Sequence, residues 1–232
     1  MSDPRIALVA EGPTDYELIK AALQAILQRP FFLTLLQPES SLPALGGGWG
    51  GVLKWCDAAG KRHAGPLDAD PTLALFDLLI IHLDVDVALK QYSDYGPELA
   101  AEAVSKAWPA LPCNQPCPPA ANTCAALQAV LLGWLGQAKP GGKTVLCLPA
   151  QSTGAWLVAA SLPATHALCQ GLECNPAAEA GLAQLPIASR VKRKSAIEYR
   201  RHAASIDTNW AAVKALCSRA GVFAQAVVAA LP

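Results

Sequence analysis

Two apolar runs that end in carboxylates constrain the fold of this 232-residue chain more than any other feature. The first run covers residues 6–10 and leads into Glu11-Gly12-Pro13-Thr14-Asp15, and the second covers residues 78–83 and leads into Asp84-Val85-Asp86. Such runs are typical of strands that are buried on both faces, as in a parallel sheet covered by helices. Functional groups in such sheets collect beyond the carboxyl ends of the strands. Because carboxylates gathered there repel one another, the pattern predicts a site for a divalent cation.

Hydrophobic periodicity and turn residues predict an α/β fold with a mainly parallel sheet of about four strands, flanked by helices. We expect strands over residues 5–10, 31–36, 76–83 and 145–148, and a helix from Thr14 that ends before Pro30. In that helix, Thr14 and Glu17 are predicted to form a capping box, which makes Glu17 a structural residue. Residues 1–160 are predicted to form a catalytic domain and residues 161–232 a helical C-terminal extension, either as two units or as one continuous domain.

The charge, the apolar stretches and the cysteines of the chain indicate its expected partners and compartment. The formal net charge is zero, so bulk charge does not indicate a nucleic-acid partner. No apolar stretch reaches the roughly 18 residues of a membrane span, and no signal segment opens the chain, so we expect a cytoplasmic protein with no membrane association. The eight cysteines are therefore expected to be free thiols. Cys113, Cys117 and Cys124 do not supply the four ligands of a structural zinc site.

The two acidic turns resemble those of the Toprim domain, the catalytic fold of topoisomerases, DnaG-type primases, OLD-family nucleases and ribosomal-RNA maturases. That family carries an E-G-x-x-D-like turn after its first strand and a D-x-D after a later one, and the residues Glu11 to Asp15 and Asp84 to Asp86 match these motifs. The E-G-x-T-D form is most similar to OLD-like nucleases and to small stand-alone bacterial Toprim-like proteins. The resemblance covers residues 5–90 and implies a Toprim-like fold.

The resemblance also implies an activity, namely metal-dependent cleavage of phosphodiester bonds. Asp84 and Asp86 would hold Mg²⁺ or Mn²⁺, Glu11 would ligate the metal or act as general base, and Asp15 would support a second ion. In some small Toprim-like relatives an acidic residue precedes the Ala-Trp pair, where this chain has Gly154. A separate ATPase partner and a role in defence against phage or mobile DNA are further implications of the family.

Two segments are candidates for contacts with a nucleic-acid substrate. Gly47 and Gly48 lie in a glycine-rich run before a short predicted helix, where backbone N–H groups can approach a phosphate; the alternative is a flexible loop anchored by Trp49. The basic segment, residues 190–201, is either a phosphate-binding stripe or a solvated helix face. By resemblance to OLD-like nucleases, Lys192 or Lys194 would offset charge on the phosphate. The segment carries six of the chain's eighteen Lys and Arg residues: Arg190, Lys192, Arg193, Lys194, Arg200 and Arg201.

Several alternatives stay open at this point. His82 alternates with Asp84 and Asp86 along the predicted strand, so all three side chains can point to one side. His82 is either a ligand or proton shuttle, or a hydrogen-bonded core histidine. Asp15 is either a ligand or a complement to the helix dipole. A nucleic-acid substrate is expected, with DNA favoured over RNA. The alternative functions are another polynucleotide-processing Toprim enzyme, such as an RNA maturase or a primase-like protein, and a non-catalytic Toprim-like binding or regulatory subunit.

Overall fold

A four-stranded parallel sheet forms the centre of the computed structural model, which describes residues 2–38, 46–186, 190–191 and 195–231. The strands are β1 (Arg5–Val9), β2 (Phe32–Gln37), β4 (Leu78–His82) and β6 (Thr144–Cys147), in the order β2-β1-β4-β6. All three neighbouring pairs are parallel. Two short strands, β3 (Gly65–Pro66) and β5 (Ala138–Lys139), form a separate parallel pair. The predicted α/β fold with a mainly parallel sheet is confirmed.

Helices account for most of the remaining described residues, and none of these helices is long and apolar enough to cross a membrane. The described C-terminal region is helical, as predicted. The α-helices are α1 (Pro13–Leu27), α2 (Gly48–Arg62), α3 (Tyr92–Tyr95), α4 (Pro97–Ser105), α5 (Ala120–Leu135), α6 (Thr153–Ser161), α7 (Ala178–Gly181), α8 (Ala196–Thr208), α9 (Trp210–Leu216) and α10 (Ser218–Ala230).

Both faces of the sheet are covered, which explains why its central strands β1 and β4 are apolar at every position except Arg5 and His82. Successive side chains of a strand point to opposite faces. Ile6 and Leu8 of β1 lie in one core with residues of α1, α6, α8, α9 and α10. Ala7 and Val9 lie in a second core with residues of α2 and α5. All four side chains are fully buried, so the two-sided burial inferred from the continuous apolar run is observed.

The order of the strands creates a crevice at one edge of the sheet. From β1 the chain passes through α1 to β2 on one side, and later strands β4 and β6 are added on the other side of β1. The carboxyl ends of β1 and β4 are therefore neighbours at the point where the direction of strand addition reverses. In open α/β sheets this switch point is where ligands bind.

Two local predictions were wrong. The helix α1 begins at Pro13 with Gly12 as N-cap and no side-chain cap, so Thr14 lies inside the helix and does not form a capping box. The fixed φ of proline suits the first helical position, which explains the earlier start. The helix α2 begins at Gly48, four residues before the predicted short helix.

The expectation that all cysteines are free thiols was also wrong. Cys117 and Cys174 form a disulfide that joins the proline-rich loop before α5 to the 3₁₀ turn Leu172–Cys174. The remaining six cysteines are free. Among Cys113, Cys117 and Cys124, Cys117 is therefore bonded to a cysteine 57 residues away in the sequence. The spacing of the cysteines does not reveal this pair.

Candidate metal centre at the switch point of the sheet

The carboxyl ends of three strands deliver the side chains of the candidate site. Glu11 follows β1, Asp84 follows β4, and Thr153 opens α6 just after β6. Asp15 lies in the first turn of α1 and reaches the same crevice. Glu11, Asp84 and Asp86 were predicted to converge at the carboxyl edge of the sheet. Glu11 and Asp84 do meet there and Asp15 joins them, whereas Asp86 is not a member of this cluster.

Three side chains form the core of the site, which we call the metal-site triad: Asp15, His82 and Asp84. Each offers one possible ligand atom, and these atoms all lie within 4.8 Å of one another. Nε2 of His82 lies 3.0 Å from Oδ1 of Asp84. The three residues are 2 %, 0 % and 5 % exposed, respectively, so water cannot solvate their charges fully. His82 is thus both a buried, hydrogen-bonded histidine and a member of the acidic cluster.

Backbone and hydroxyl donors hold the carboxylates in place. The N–H of Thr153 donates to Oδ1 of Asp84 at 3.0 Å, and the hydroxyl of Thr153 donates to Oδ1 of Asp15 at 2.7 Å. The N–H of Asp84 donates to Oε1 of Glu11 at 2.8 Å. Because Thr153 is the first residue of α6, the positive end of that helix also faces these carboxylates. Sequence analysis missed Thr153, although its position after a third buried strand is a signal that could have indicated it.

The charges of the site perturb one another strongly. Burial and the negative charge of Asp84 raise the pKa of Glu11 to about 8, although the nearby His82 acts in the opposite direction. Burial alone would lower the pKa of His82, but the carboxylates of Asp84 and Asp15 raise it to about 9. At neutral pH without a metal, a proton on Glu11 and a positive charge on His82 therefore compensate the carboxylates.

The spacing of the possible ligand atoms is compatible with a metal ion. Ligand atoms that lie about 2.1 Å from an ion at right angles are about 3 Å apart, which matches the spacing between Nε2 of His82 and Oδ1 of Asp84. In addition, Nδ1 of His82 is buried and has no hydrogen-bond partner among the described residues. The internal hydrogen bonds of the site therefore leave one ring nitrogen unsatisfied. The buried cluster could hold a metal ion.

Asp86 lies outside the triad. The strand β4 ends at His82, and residues Val85–Leu89 form a 3₁₀ helix, so the two-residue alternation predicted for His82, Asp84 and Asp86 is broken. The N–H of Asp86 donates to the backbone oxygen of Gln151 at 2.9 Å, and Asp86 is among the residues that line a neighbouring cavity. The role of Asp86 as a ligand stays a prediction.

The glycine-rich run lies directly beside the acidic site. The N–H of Gly48 donates to the backbone oxygen of Glu11 at 2.8 Å. Gly47 is exposed, and a Cβ added there would lie 3.6 Å from that same oxygen. Trp49 is 8 % exposed and packs against Tyr95, with ring centroids 5.4 Å apart, so it does anchor the segment. Contact of Gly47 and Gly48 with a phosphate stays a prediction.

The basic segment is only partly described, because Lys192, Arg193 and Lys194 lie outside the described residues. Arg200 forms an ion pair with the buried Glu17 at 2.6 Å, and Arg201 pairs with Glu198 at 3.0 Å. Nε of Arg190 donates to the backbone oxygen of Leu185 at 2.9 Å. Glu17 is therefore structural, as predicted, although it pairs with Arg200 and does not form the predicted capping box. The binding of phosphate by the basic segment stays a prediction.

A carboxylate that sequence analysis missed lies next to Gly154. The hydroxyl of Ser152 donates to Oε2 of Glu179 at 2.6 Å, and the hydroxyl of Tyr199 donates to Oε1. A Cβ at Gly154 would overlap this carboxyl group, so the absence of a side chain gives Glu179 its space. Glu179 comes from the short helix α7, and no motif connects it to the strand ends. The structure thus places an acidic group beside the position where the family resemblance implies one.

Comparisons of the chain with protein-family models, with curated proteins and with solved structures find no match. The chemistry of the site is therefore the basis for a functional assignment.

Proposed function

We propose that this protein is a divalent-metal-dependent nuclease that hydrolyses phosphodiester bonds. The observation that carries the proposal is the buried metal-site triad at the switch point of a parallel sheet. Two carboxylates and an imidazole provide a charged donor set at the place where ligands bind in open α/β sheets. Glu11 supplies a further carboxylate beside this set.

Mn²⁺ or Mg²⁺ is the ion that we expect at this site. Carboxylate oxygens suit both ions, and the imidazole nitrogen of His82 favours Mn²⁺ over Mg²⁺. When bound, such an ion polarises a phosphate oxygen and lowers the pKa of coordinated water. The role of the triad is to hold the ion, while Thr153 fixes the orientation of both carboxylates.

Glu11 is the residue that we propose as general base. Its Oε1 is held by the N–H of Asp84, and its surroundings raise its affinity for a proton. Without a metal Glu11 holds a proton at neutral pH, and the positive charge of a bound ion would return it to the ionised form. In that form a carboxylate of raised basicity would accept a proton from water more readily than an ordinary one. Lys192 or Lys194 is proposed, from the family resemblance alone, to offset the charge that develops on the phosphate. A DNA substrate, an ATPase partner and a role in defence against mobile DNA are proposals on the same ground.

The variant Asp84→Asn tests the proposal. Asparagine keeps the acceptor oxygen for Thr153 but removes the negative charge, so the fold should persist while metal affinity and cleavage are lost. We expect a loss of about 100-fold or more in metal-dependent hydrolysis of bis(p-nitrophenyl) phosphate and of single-stranded DNA. The matched control is Asp207→Asn, an exposed aspartate on α8, which should behave like wild type. Equal hydrolysis by wild type and Asp84→Asn would contradict the proposal.

A second candidate is a non-catalytic metal-binding or regulatory subunit. Asp86, one of the predicted ligands, lies outside the metal-site triad, and Oδ1 of Asp84 already accepts hydrogen bonds from His82 and Thr153. The triad residues are at most 5 % exposed, which favours a site that binds an ion without opening to a substrate. Thermal stabilisation by Mn²⁺ that depends on Asp84, with no cleavage of single-stranded DNA, duplex DNA or structured RNA, would establish this candidate. Preferential cleavage of structured RNA would instead indicate an RNA-processing enzyme.

A further inference from the structure

The strand β2 forms one edge of the central sheet and, among the described residues, pairs with β1 alone. Along such an edge strand, successive residues direct their backbone groups alternately toward the partner strand and away from it. The N–H of Phe32 donates to the backbone oxygen of Pro4 at 2.9 Å, so Phe32 and Thr34 face β1. Leu33 and Leu35 therefore direct their N–H and C=O groups out of the sheet.

The outward backbone groups of Leu33 and Leu35 are available for new hydrogen bonds. Their two N–H groups have no backbone partner among the described residues. The hydroxyl of Tyr16 lies 3.5 Å from the oxygen of Leu33, beyond the range of about 2.5–3.0 Å that is usual for such a bond. Because a carbonyl oxygen has two lone pairs, this oxygen can also accept from a closer donor. Thr34, which lies between the two leucines, is exposed.

This edge lacks the features that usually prevent a strand from pairing with another chain. Soluble proteins protect exposed edges with charged side chains, prolines or bulges. Residues 31–37 contain no charged residue and no proline, and Phe32 is 62 % exposed. The register with β1 is irregular only after Leu35, so the centre of the strand is regular. At the other edge of the sheet, by contrast, no residue of β6 is exposed.

The pattern of outward groups matches a second copy of the same strand. Leu33 and Leu35 lie symmetrically about Thr34, so a two-fold axis at Thr34 lets Leu33 of each copy exchange both N–H···O bonds with Leu35 of the other. In this register Thr34 lies opposite Thr34 of the second copy, and the exposed Phe32 lies opposite Leu36. Threonine pairs and pairs of aromatic and apolar side chains stabilise antiparallel strands. An edge without charge offers no such match to a charged segment.

We propose that two copies of this chain associate through β2 in an antiparallel arrangement, which joins their two four-stranded sheets into one continuous sheet. The metal-site triads of the two copies then lie at opposite edges of the joined sheet. Each copy contributes the six residues of β2, fewer than the roughly 20–30 residues per side of a stable interface, so we expect a dissociation constant in the micromolar range. The inference does not rest on the proposed nuclease function.

Sedimentation equilibrium and hydrogen exchange of the full chain test this association. We expect monomers and dimers in a reversible equilibrium between about 1 and 500 μM. As the concentration rises through this range, exchange of the outward N–H groups of Leu33 and Leu35 should slow, whereas exchange in β6 should not change. A monomer throughout the range would overturn the proposal, as would a dimer in which exchange at Leu33 and Leu35 is unchanged.

Substitution of Thr34 tests the position of the two-fold axis. Thr34→Lys or Thr34→Glu alone places like charges opposite each other, so each should raise the dissociation constant by about tenfold or more. An equimolar mixture of the two variants places Lys opposite Glu, so its mixed dimer should be at least about tenfold tighter than either variant alone. The matched control is Thr165→Lys, at an exposed threonine outside the sheet, which should dimerise like wild type.

The exposure of Thr34 keeps this test independent of folding. Because its side chain lies in solvent, both variants should give the circular dichroism spectrum of wild type. A dimer that neither substitution weakens would place the interface elsewhere and overturn the proposal. A mixture that associates no more tightly than its components would overturn the arrangement about Thr34. Neither measurement involves cleavage, so failure of the nuclease proposal leaves the inference standing.

Discussion

Removal of divalent cations should make the stability of this protein decrease as the pH rises from about 5 to about 9. The folded state raises the pKa of Glu11 from 4.5 to about 8, so between these values it binds more protons than the unfolded state, and stability falls as the pH rises. The pKa of His82 is raised from 6.5 to about 9, so its stabilising charge is complete below pH 6.5 and is lost as the pH rises through 9. Glu11 and His82 therefore both make the free energy of unfolding decrease as the pH rises.

The size of the effect follows from the pKa shifts. One pKa unit corresponds to about 1.4 kcal/mol, so the shift of Glu11 sets an upper limit of about 5 kcal/mol. Glu11 keeps some contact with solvent, which reduces the cost of its charge, so we expect a loss of about 3 kcal/mol. For a chain of this length, that loss lowers Tm by roughly 6–12 °C. Burial alone would raise the pKa values of Asp57 and Asp70, but their ion pairs lower them on balance from 3.8. The stability that these two groups contribute is therefore complete above pH 3.8 and constant across the range of the experiment.

Thermal melting in EDTA at half-unit steps of pH measures the effect, and three comparisons identify its source. Glu11→Gln should remove the decrease between pH 5 and pH 6.5 and reduce it between pH 6.5 and pH 8, where His82 still contributes, whereas Glu98→Gln, at an exposed glutamate on α4, should leave the profile unchanged. Saturating Mn²⁺ favours ionised Glu11 and should therefore raise Tm more at pH 8 than at pH 5.5. A flat or rising profile for wild type in EDTA would refute the reasoning, as would an unchanged slope in Glu11→Gln.

Further predictions concern packing, the disulfide and the basic segment. Gly154→Ala should destabilise the protein by about 1–3 kcal/mol, because the added Cβ would overlap the carboxyl group of Glu179. Gly221→Ala, in open space on α10, should stabilise the protein by about 0.5–1 kcal/mol. Chemical denaturation measures both changes. Alkylation under denaturing conditions, followed by mass spectrometry, should label the six free cysteines before reduction and all eight after it; eight labelled thiols before reduction would contradict the disulfide. Replacement of residues 192–194 by Gln should flatten the salt dependence of DNA binding by up to about three charges, and an identical slope would assign these cations to solvent.

The sequence alone determined the sheet and the edge at which the site lies. A strand that is buried on both faces must be apolar at consecutive positions, so residues 6–10 and 78–83 could be identified as central strands without knowledge of their partners. Glu11 and Asp84 follow directly from these runs, because the carboxyl ends of parallel strands share one edge. The composition of the chain could not show that two cysteines are bonded, because a disulfide depends on distance in space.

The tertiary structure decided which polar groups meet at that edge. His82 and Asp15 join Asp84 because α1 and β4 bring them together. Asp86 is not a member of the triad, since β4 ends at His82 and residues Val85–Leu89 form a 3₁₀ helix. Thr153 and Glu179 belong to α6 and α7, whose positions depend on the packing of the whole C-terminal half against the sheet. Periodicity describes which face of an element is buried, but it does not describe which elements are neighbours. Which elements are neighbours depends on how the complete chain fills its two cores. For this reason only the folded structure reveals the set of contacts around the metal-site triad.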